Sequence, residues 1–372
     1  MDGPIVRDSA GITIVDNPAQ DSEVIWQISS DPDVDIGGGV DDLFRVVSPI
    51  RLSDGRIVVG NGGTSEIRYY APDGRLIKPA GRDGEGPGEF RRIAWLGRRG
   101  ADSIVVYDLD LLRLSILDSA GTFVRSFQLE TTDSVTFAYV IGSYADGSFL
   151  TNGFGDTGGE TPDGLQRYRS PLHWFGPDGA LLQNLGFFSG SEMYYMPFGN
   201  GGFSVVEAVF GRQTTRIAGP DHLYIAANDT YQIDRYTSSG GLTASIRRAH
   251  EAVAVSNVHI DAEKEGRLAA ASGRGAERIR ETFDDIPIPE TFPAYHVIRV
   301  DEAGNLWVQD YAIPPQTSGR WTVFDPEGIM QATVELPVGL DPTHIGNDFV
   351  LGTWKDDVDV EHVRLYGLDR ST

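Results

Sequence analysis

Residues 54–80 read DGRIVVGNGGTSEIRYYAPDGRLIKPA. Asp54-Gly55 precedes a short apolar run that ends at Asn61, a second run follows at 67–71, and an Asp-Gly pair at 73–74 precedes a third. Apolar and polar residues alternate within each run, which is the period of a β-strand with two different faces. Glycine after aspartate accepts the positive φ of a tight hairpin. The stretch therefore predicts three antiparallel strands joined by short turns.

This pattern recurs along the chain. Further copies begin at Asp102, Asp146, Pro220 and Ala303, and an incomplete copy begins at Asn347. A weaker apolar run precedes each copy, at 46–52, 92–97, 137–143, 212–218, 295–300 and 343–345. Each unit is therefore expected to be a four-stranded antiparallel blade, and the repeat predicts stacked units rather than one large sheet. We predict an all-β, six-bladed β-propeller that forms a single domain over residues 1–372.

The last copy ends before it supplies an outer strand. Residues 23–28 at the other end of the chain, with Val24, Ile25, Trp26 and Ile28, are strand-like. We expect this N-terminal strand to complete the last blade, because closing the ring removes the exposed sheet edges that favour aggregation.

Composition excludes several classes of function. The 372 residues include 54 acidic and 31 basic side chains, a formal charge of -23 that repels nucleic acid and anionic membranes. No apolar stretch reaches the roughly 18 residues of a membrane-spanning helix. The absence of cysteine excludes disulfides, thiolate catalysis and cysteine-type zinc sites.

Residues 81–90, GRDGEGPGEF, resemble the glycine-rich inter-blade signature of NHL-repeat propellers, and residues 5–370 resemble a group of bacterial six-bladed β-propeller proteins. Matching phrases also occur at 6–11, 300–308 and 358–363. That group is similar in fold to gluconolactonases and paraoxonase-like hydrolases. The resemblance implies a periplasmic or cell-surface protein with a leader or lipid anchor ahead of this sequence, whereas a cytoplasmic start at Met1 is the alternative. It implies no particular reaction, because the fold hosts enzymes, receptors and scaffolds.

Every long insertion is expected on one face of the ring. These insertions span residues 153–167, 187–211, 249–294 and 311–319. Long loops in a compact domain usually carry a function, so this face is predicted to bind a ligand. Residues 261–285 read as one helix or a broken pair, which forms a lid over the channel mouth or simply packs on the rim.

One pair of residues per unit is expected at the entrance of each innermost strand. The pairs are Val47/Ser48, Arg91/Arg92, Tyr139/Val140, Arg212/Gln213, Tyr295/His296 and Leu340/Asp341. Three arginines in an acidic protein favour a carboxylate or phosphoryl ligand. The alternative is that they form structural ion pairs with neighbouring acids.

Candidate site residues follow from this arrangement. For catalysis the sequence suggests His296 as general base, with Arg91, Arg212 and Tyr295 around it. For ligand binding the candidates are Arg92, Tyr139, Gln213, Asp341 and Trp354, with Tyr194 and Tyr195 from an aromatic loop that can equally form a small core.

An Asn or Asp residue stands at the end of the second strand in five units, and we call this set the Asn/Asp column. Its members are Asn61, Asp108, Asn152, Asn228 and Asp310. Such oxygen ligands could bind Ca²⁺ near the channel, and lactonases of related fold use a site of this kind. The alternative is that these side chains cap their own turns, as Asn and Asp routinely do.

Two classes of function therefore remain. The first is a propeller that binds a small anionic ligand, or a protein or peptide partner, at its loop-rich mouth. The second is a hydrolase of small esters, lactones or phosphotriesters that uses the same mouth, with or without a calcium-type ion.

Overall fold

The computed structural model describes residues 3–39, 42–131, 138–153, 162–198 and 202–371. Within them the chain is almost entirely β-structure. The strands in chain order are β1 (Ile5–Ser9), β2 (Ile12–Asn17), β3 (Ile25–Ile28), β4 (Val34–Ile36), β5 (Val46–Arg51), β6 (Ile57–Asn61), β7 (Glu66–Tyr70), β8 (Leu76–Ala80), β9 (Ile93–Arg99), β10 (Ser103–Asp108), β11 (Arg113–Leu117), β12 (Phe123–Gln128), β13 (Tyr139–Ser143), β14 (Phe149–Asn152), β15 (Gly164–Gln166), β16 (Arg169–Phe175), β17 (Leu181–Ser189), β18 (Met193–Phe198), β19 (Gly202–Glu207), β20 (Thr214–Ala218), β21 (His222–Ala227), β22 (Gln232–Thr237), β23 (Leu242–Arg248), β24 (Ile298–Val300), β25 (Leu306–Gln309), β26 (Arg320–Phe324), β27 (Met330–Glu335), β28 (Asp341–Ile345), β29 (Phe349–Lys355) and β30 (Glu361–Asp369). The helices are α1 (Asn257–Ala269) and α2 (Arg274–Asp285).

The strands assemble into repeated antiparallel sheets. The first four units are β5-β6-β7-β8, β9-β10-β11-β12, β13-β14-β16-β17 and β20-β21-β22-β23, and they are followed by β24-β25-β26-β27 and β28-β29-β30. The innermost strands contact one another in the order β5, β9, β13, β20, β24 and β28, and β28 contacts β5 again. Antiparallel sheets arranged around a ring of innermost strands define a β-propeller.

The turns and the core follow from the sequence pattern. Gly55 has a φ of +86°, which a side chain would strain, and its N–H donates to the carbonyl of Leu52 at 3.0 Å. Facing sheets bury their alternate apolar residues against each other, as Val58 and Tyr69 of the first unit do with Val106 of the second. Each such side chain contributes about 1.5–3 kcal/mol on burial.

The N-terminal segment covers the outer edge of three successive units. Strand β2 pairs in parallel with β23, β3 pairs in parallel with β27, and β4 pairs antiparallel with β30. The buried Asn17 amide fastens this segment by donating to the carbonyls of Arg247 (3.0 Å) and Gly328 (2.9 Å).

The closure differs in detail from the sequence expectation. Residues 23–28 were expected to be the outer strand of the last unit, but β4 takes that position, and β3 reaches β30 only through Gln27 and Ile28. The physical reason is Trp26, which is buried against Trp307 of the fifth unit with ring centroids 5.7 Å apart. That contact holds β3 on β27.

The helical insertion is a broken pair. Helices α1 and α2 are separated near Gly273, which has a φ of +54°. They pack on an apolar cluster through Ile260 of α1 and Phe283 of α2, with Phe210 and Phe292 beneath. Neither helix is long and apolar enough to cross a membrane.

Candidate functional site

Three insertions meet around His296 on the loop-rich side of the ring. They enclose a cavity of about 320 Å³, which we call the His296 cavity. Its polar lining comes from separate parts of the chain and includes Glu207 at the end of β19, Gln213 before β20, Glu263 and Arg267 on α1, His296 before β24, Gln309 at the end of β25, and Asp310, Tyr311 and Ser318 after β25. Helix α1 thus forms part of the cavity wall in addition to packing on the rim.

The charges in this cavity are mainly negative. It holds the carboxylates of Glu207, Glu263 and Asp310 and one guanidinium, that of Arg267. The Arg267 Nε lies 2.7 Å from Glu263 Oε1, so these two charges neutralise each other and Glu207 and Asp310 remain as acidic groups. A cavity with such a lining attracts cations.

His296 presents its imidazole to the cavity. Its backbone N–H donates to the Gln309 carbonyl at 2.8 Å, and its ring lies 6.3 Å from that of Tyr311. The surrounding protein lowers the pKa of His296 by desolvation, and the positive charge of Arg299 lowers it further. The ring is therefore neutral at pH 7 and can accept a proton or a hydrogen bond.

Asp310 lies between the His296 cavity and a neighbouring one of about 340 Å³. Desolvation raises the pKa of its carboxyl group, and Arg320 Nε, 3.6 Å away, opposes that effect. In the neighbouring cavity Asp21 of the N-terminal segment binds Arg248 at 2.6 Å and Arg320 at 2.5 Å. Both arginines are thus held by a carboxylate of the chain itself.

Below His296 the innermost strands surround a central channel. A small cavity of about 290 Å³ joins His296 to Arg299 and Asp341, whose Nη2 and Oδ1 atoms are 2.6 Å apart. The same two residues line a channel of about 480 Å³ together with Ser48 and Trp95. The Arg299–Asp341 ion pair therefore lies between the His296 cavity and the channel.

The three arginines predicted at the mouth do not line the His296 cavity in the described part of the chain. Arg91 binds Asp83 (3.4 Å) and Glu85 (3.1 Å), which raise its pKa, and Arg92 binds Asp110 at 2.8 Å. Arg212 donates to the carbonyl and the hydroxyl of Thr291, at 2.9 and 2.8 Å.

The other predicted residues divide between the cavity, the core and the periphery. Gln213 and His296 share the cavity, and Asp341 lies just below it. Tyr295 is 1% exposed and packs on the Tyr231 ring at 5.2 Å, and burial raises its pKa.

Four predicted aromatic residues lie elsewhere. Tyr139 is half-buried at the start of β13, and the Trp354 ring lies 3.4 Å from the Arg364 guanidinium carbon. Tyr194 and Tyr195 belong to β18, in a separate small sheet of order β15-β18-β19.

The Asn/Asp column holds the start of the innermost run in three units. Asn61 Oδ1 accepts from the N–H of Phe44 at 2.8 Å, and Asn228 Oδ1 accepts from that of Gln213 at 2.7 Å. Asp108 accepts four backbone N–H groups, those of Arg91, Arg92, Asp110 and Leu111, at 2.6–3.3 Å. Asn152 ends β14. Among the described residues no group of three or more His, Asp or Glu side chains is placed to hold a metal ion.

Sequence reasoning missed Glu207, Glu263, Arg267, Arg299 and Tyr311. One signal was available, because Glu263 and Arg267 are four residues apart in a predicted helix and form an i,i+4 pair. For Glu207 and Arg299 the sequence carries no such signal, since only the packing of distant segments brings them to the cavity.

Comparison with known structures supports the fold class. A Bacteroides fragilis protein that is provisionally described as exported matches with a TM-score of 0.53 and 11% identity. The match covers 96% of this chain and 100% of that chain. A DUF4221 family member from Bacteroides vulgatus matches with a TM-score of 0.51 and 9% identity, over 93% and 99%.

A gluconolactonase from Xanthomonas campestris matches with a TM-score of 0.42 and 11% identity, over 88% of this chain and 87% of that chain. No family model matches the sequence, and no curated protein matches it. The likeness to the two Bacteroides proteins supports the fold alone and leaves the function to be argued from the site.

Proposed function

We propose that this protein is a six-bladed, single-domain β-propeller that binds a small organic cation in the His296 cavity. Six blades are supported by the closed cycle of contacts among β5, β9, β13, β20, β24 and β28. The resemblance of the sequence to NHL-like propellers favours the same number.

The observation that carries the binding proposal is the lining of the cavity. Side chains from three distant insertions enclose it, which is typical of a ligand site rather than of a packing defect. Among its charged groups Glu263 and Arg267 pair with each other, which leaves the carboxyl groups of Glu207 and Asp310. Arg91 and Arg92 pair with neighbouring acids and Arg212 binds Thr291, all outside this cavity, so a cation fits it better than the anion that the arginine count favours.

The test is calorimetric titration with butyltrimethylammonium, beside butanesulfonate as an anion of similar size. We expect the cation to bind more tightly, and Glu207→Gln to weaken its binding about fivefold, the effect of losing one partly solvated charge pair. The control is Glu327→Gln, which neutralises an exposed acid in the Asp325–Gly328 turn and should leave the affinity unchanged. Tighter binding of the sulfonate would contradict the proposal.

The pH dependence gives an independent prediction. Protonation adds a positive charge to His296, so the affinity for the cation should fall at acidic pH as the imidazole takes a proton below its ordinary range. In His296→Ala this fall should be reduced. Equal pH profiles for the two proteins would exclude His296 from the binding site.

A hydrolase remains the second candidate, on one specific observation. The His296 cavity contains a histidine with a lowered pKa and a carboxyl group, Asp310, with a raised pKa, which is the pairing that general acid–base catalysis uses. The assay is a screen of chromogenic esters, lactones and phosphotriesters, with and without a chelator. Turnover lost in His296→Ala but kept with the chelator supports this candidate, whereas turnover lost with the chelator supports a calcium-type site instead.

The cellular location is also proposed to be outside the cytoplasm, because the bacterial propellers that this sequence resembles are exported. The name of the Bacteroides fragilis neighbour points the same way. Fractionation of cells that express the native gene would test this, and recovery in the cytoplasmic fraction would contradict it.

A further inference from the structure

The small sheet beside the His296 cavity continues the site outward. Strand β19 pairs with β18 without a bulge, so that Glu207 lies opposite Met193 and Val205 opposite Tyr195. Alternate residues of a strand, and residues directly opposite in an antiparallel pair, share a face. Glu207, Val205, Phe203 and Tyr195 therefore lie on one face, which we call the apolar face. The apolar face begins at the His296 cavity, because Glu207 also lines that cavity.

This apolar face is open to solvent. Phe203 is 41% exposed and Val205 is 42% exposed, whereas Ser204 and Val206 on the other face are less exposed. The Tyr195 ring packs 5.5 Å from that of Phe203 and so widens the apolar surface. Adjacent exposed apolar residues of this size mark a contact surface more often than an ordinary stretch of protein exterior.

We propose that the ligand of the His296 cavity is an amphiphilic cation whose apolar chain lies on the apolar face formed by Val205, Phe203 and Tyr195. This inference rests on the proposed function, since the cavity holds the charged end. The strand rises roughly 3.4 Å per residue, so Glu207 and Phe203 are separated by about 14 Å, close to the reach of an extended decyl chain.

The geometry explains why the two parts belong to one ligand. The carboxylate of Glu207 and the side chains of Val205 and Phe203 project from the same face of a single strand. Val205 and Phe203 are the next residues on this face for a ligand chain that extends from Glu207 along β19. Covering them with a hydrocarbon chain removes exposed apolar surface from water, which favours binding.

The experiment compares butyltrimethylammonium with decyltrimethylammonium, below its micelle concentration, by calorimetric titration. The wild-type protein should bind the decyl compound at least about tenfold more tightly, because additional methylene groups are buried. In the double variant Phe203→Ser/Val205→Thr this gain should disappear while the affinity for the butyl compound stays unchanged.

The control is Leu182→Ser/Val124→Thr, which removes two apolar side chains that are somewhat more exposed, at 52% and 57%, from the outer strands β17 and β12. It should keep the full tenfold gain. Thermal unfolding of both double variants should match that of the wild type, as expected for exposed positions.

Each outcome decides a separate point. Butyl binding that depends on Glu207, without any gain for decyl, leaves the proposed function standing and overturns the apolar face as its extension. A decyl gain that persists in Phe203→Ser/Val205→Thr, or disappears in the control, also overturns the apolar face. No binding of either compound by the wild type overturns the proposed function and this inference together.

Discussion

The mouths of the second and fifth units use the same position of the repeat in opposite ways. In the second unit Asp108 is fully buried, and its carboxylate accepts four backbone N–H groups that fix the approach to β9. In the fifth unit Asp310 directly follows the equivalent strand, but the N–H of His296 donates to the Gln309 carbonyl instead. Within the described residues no backbone N–H is bound by the Asp310 carboxylate, which lies at the border of two cavities.

The difference teaches that a repeated residue has a structural role where its turn is closed and is available for another role where the turn is open. A carboxylate that accepts several N–H groups is stabilised by them. One that lacks them in a partly buried place is destabilised in its charged form, and the raised pKa of Asp310 is consistent with this. The long insertion at 311–319 directly follows Asp310, so the unit in which the carboxylate binds no backbone N–H is also one that carries an insertion.

The largest expected effect is that of Asp108→Ala. It leaves four partly buried N–H groups without their acceptor and should lower the free energy of unfolding by about 3 kcal/mol. Asp310→Ala, the matched variant, should change it by roughly 1 kcal/mol or less. Urea unfolding of the two variants measures both quantities, and similar losses would remove the distinction between the two mouths.

A smaller effect separates two adjacent residues of the fifth unit. Tyr295→Phe removes a hydroxyl that makes one long hydrogen bond, 3.4 Å, to the Gln232 carbonyl, and should cost about 1 kcal/mol or less. It should leave cation binding and any hydrolysis unchanged, whereas His296→Ala should alter them. Loss of binding in Tyr295→Phe at unchanged stability would restore Tyr295 to the site.

The smallest expected effect concerns pH. The carboxyl group of Asp310 has a raised pKa in the folded protein, so folding takes up a proton in the window between its unfolded and folded pKa values. The contribution of Asp310 to stability is therefore largest at acidic pH and declines as the pH rises through its folded pKa. Asp310→Asn should remove this decline, and unfolding curves for both proteins at several pH values would measure it. A difference of opposite sign would mean that the ionised carboxylate is the stabilised form.

Much of the fold was predictable because its determinants are local. The Asp-Gly turns require a positive φ, and the alternating runs specify strands, so the positions of β6, β7, β10 and β11 follow from neighbouring residues. The break in the helical insertion was predictable from its glycines. The position of β3 was not, because it depends on the contact of Trp26 with Trp307, which lies far away in the sequence.

The candidate site was predictable only in part. His296 and Gln213 were found because each stands at the entrance of an innermost run, which the repeat locates. The pairing of Arg91 with Asp83 and Glu85 could not be found in this way, since charge counts do not tell which acid a guanidinium reaches. Glu207 was overlooked because its place in the cavity depends on a small sheet that lies outside the repeat.

By itself the sequence determined the β-propeller architecture and the face that carries the insertions, because turn chemistry and strand periodicity act over a few residues. The tertiary structure alone decided that the mouth arginines Arg91 and Arg92 are paired with acids, that the N-terminal segment covers three units, and that carboxylates lie around His296. These outcomes depend on side chains from distant segments meeting at distances of a few ångströms, where ion pairing and desolvation act and where no local pattern carries the information.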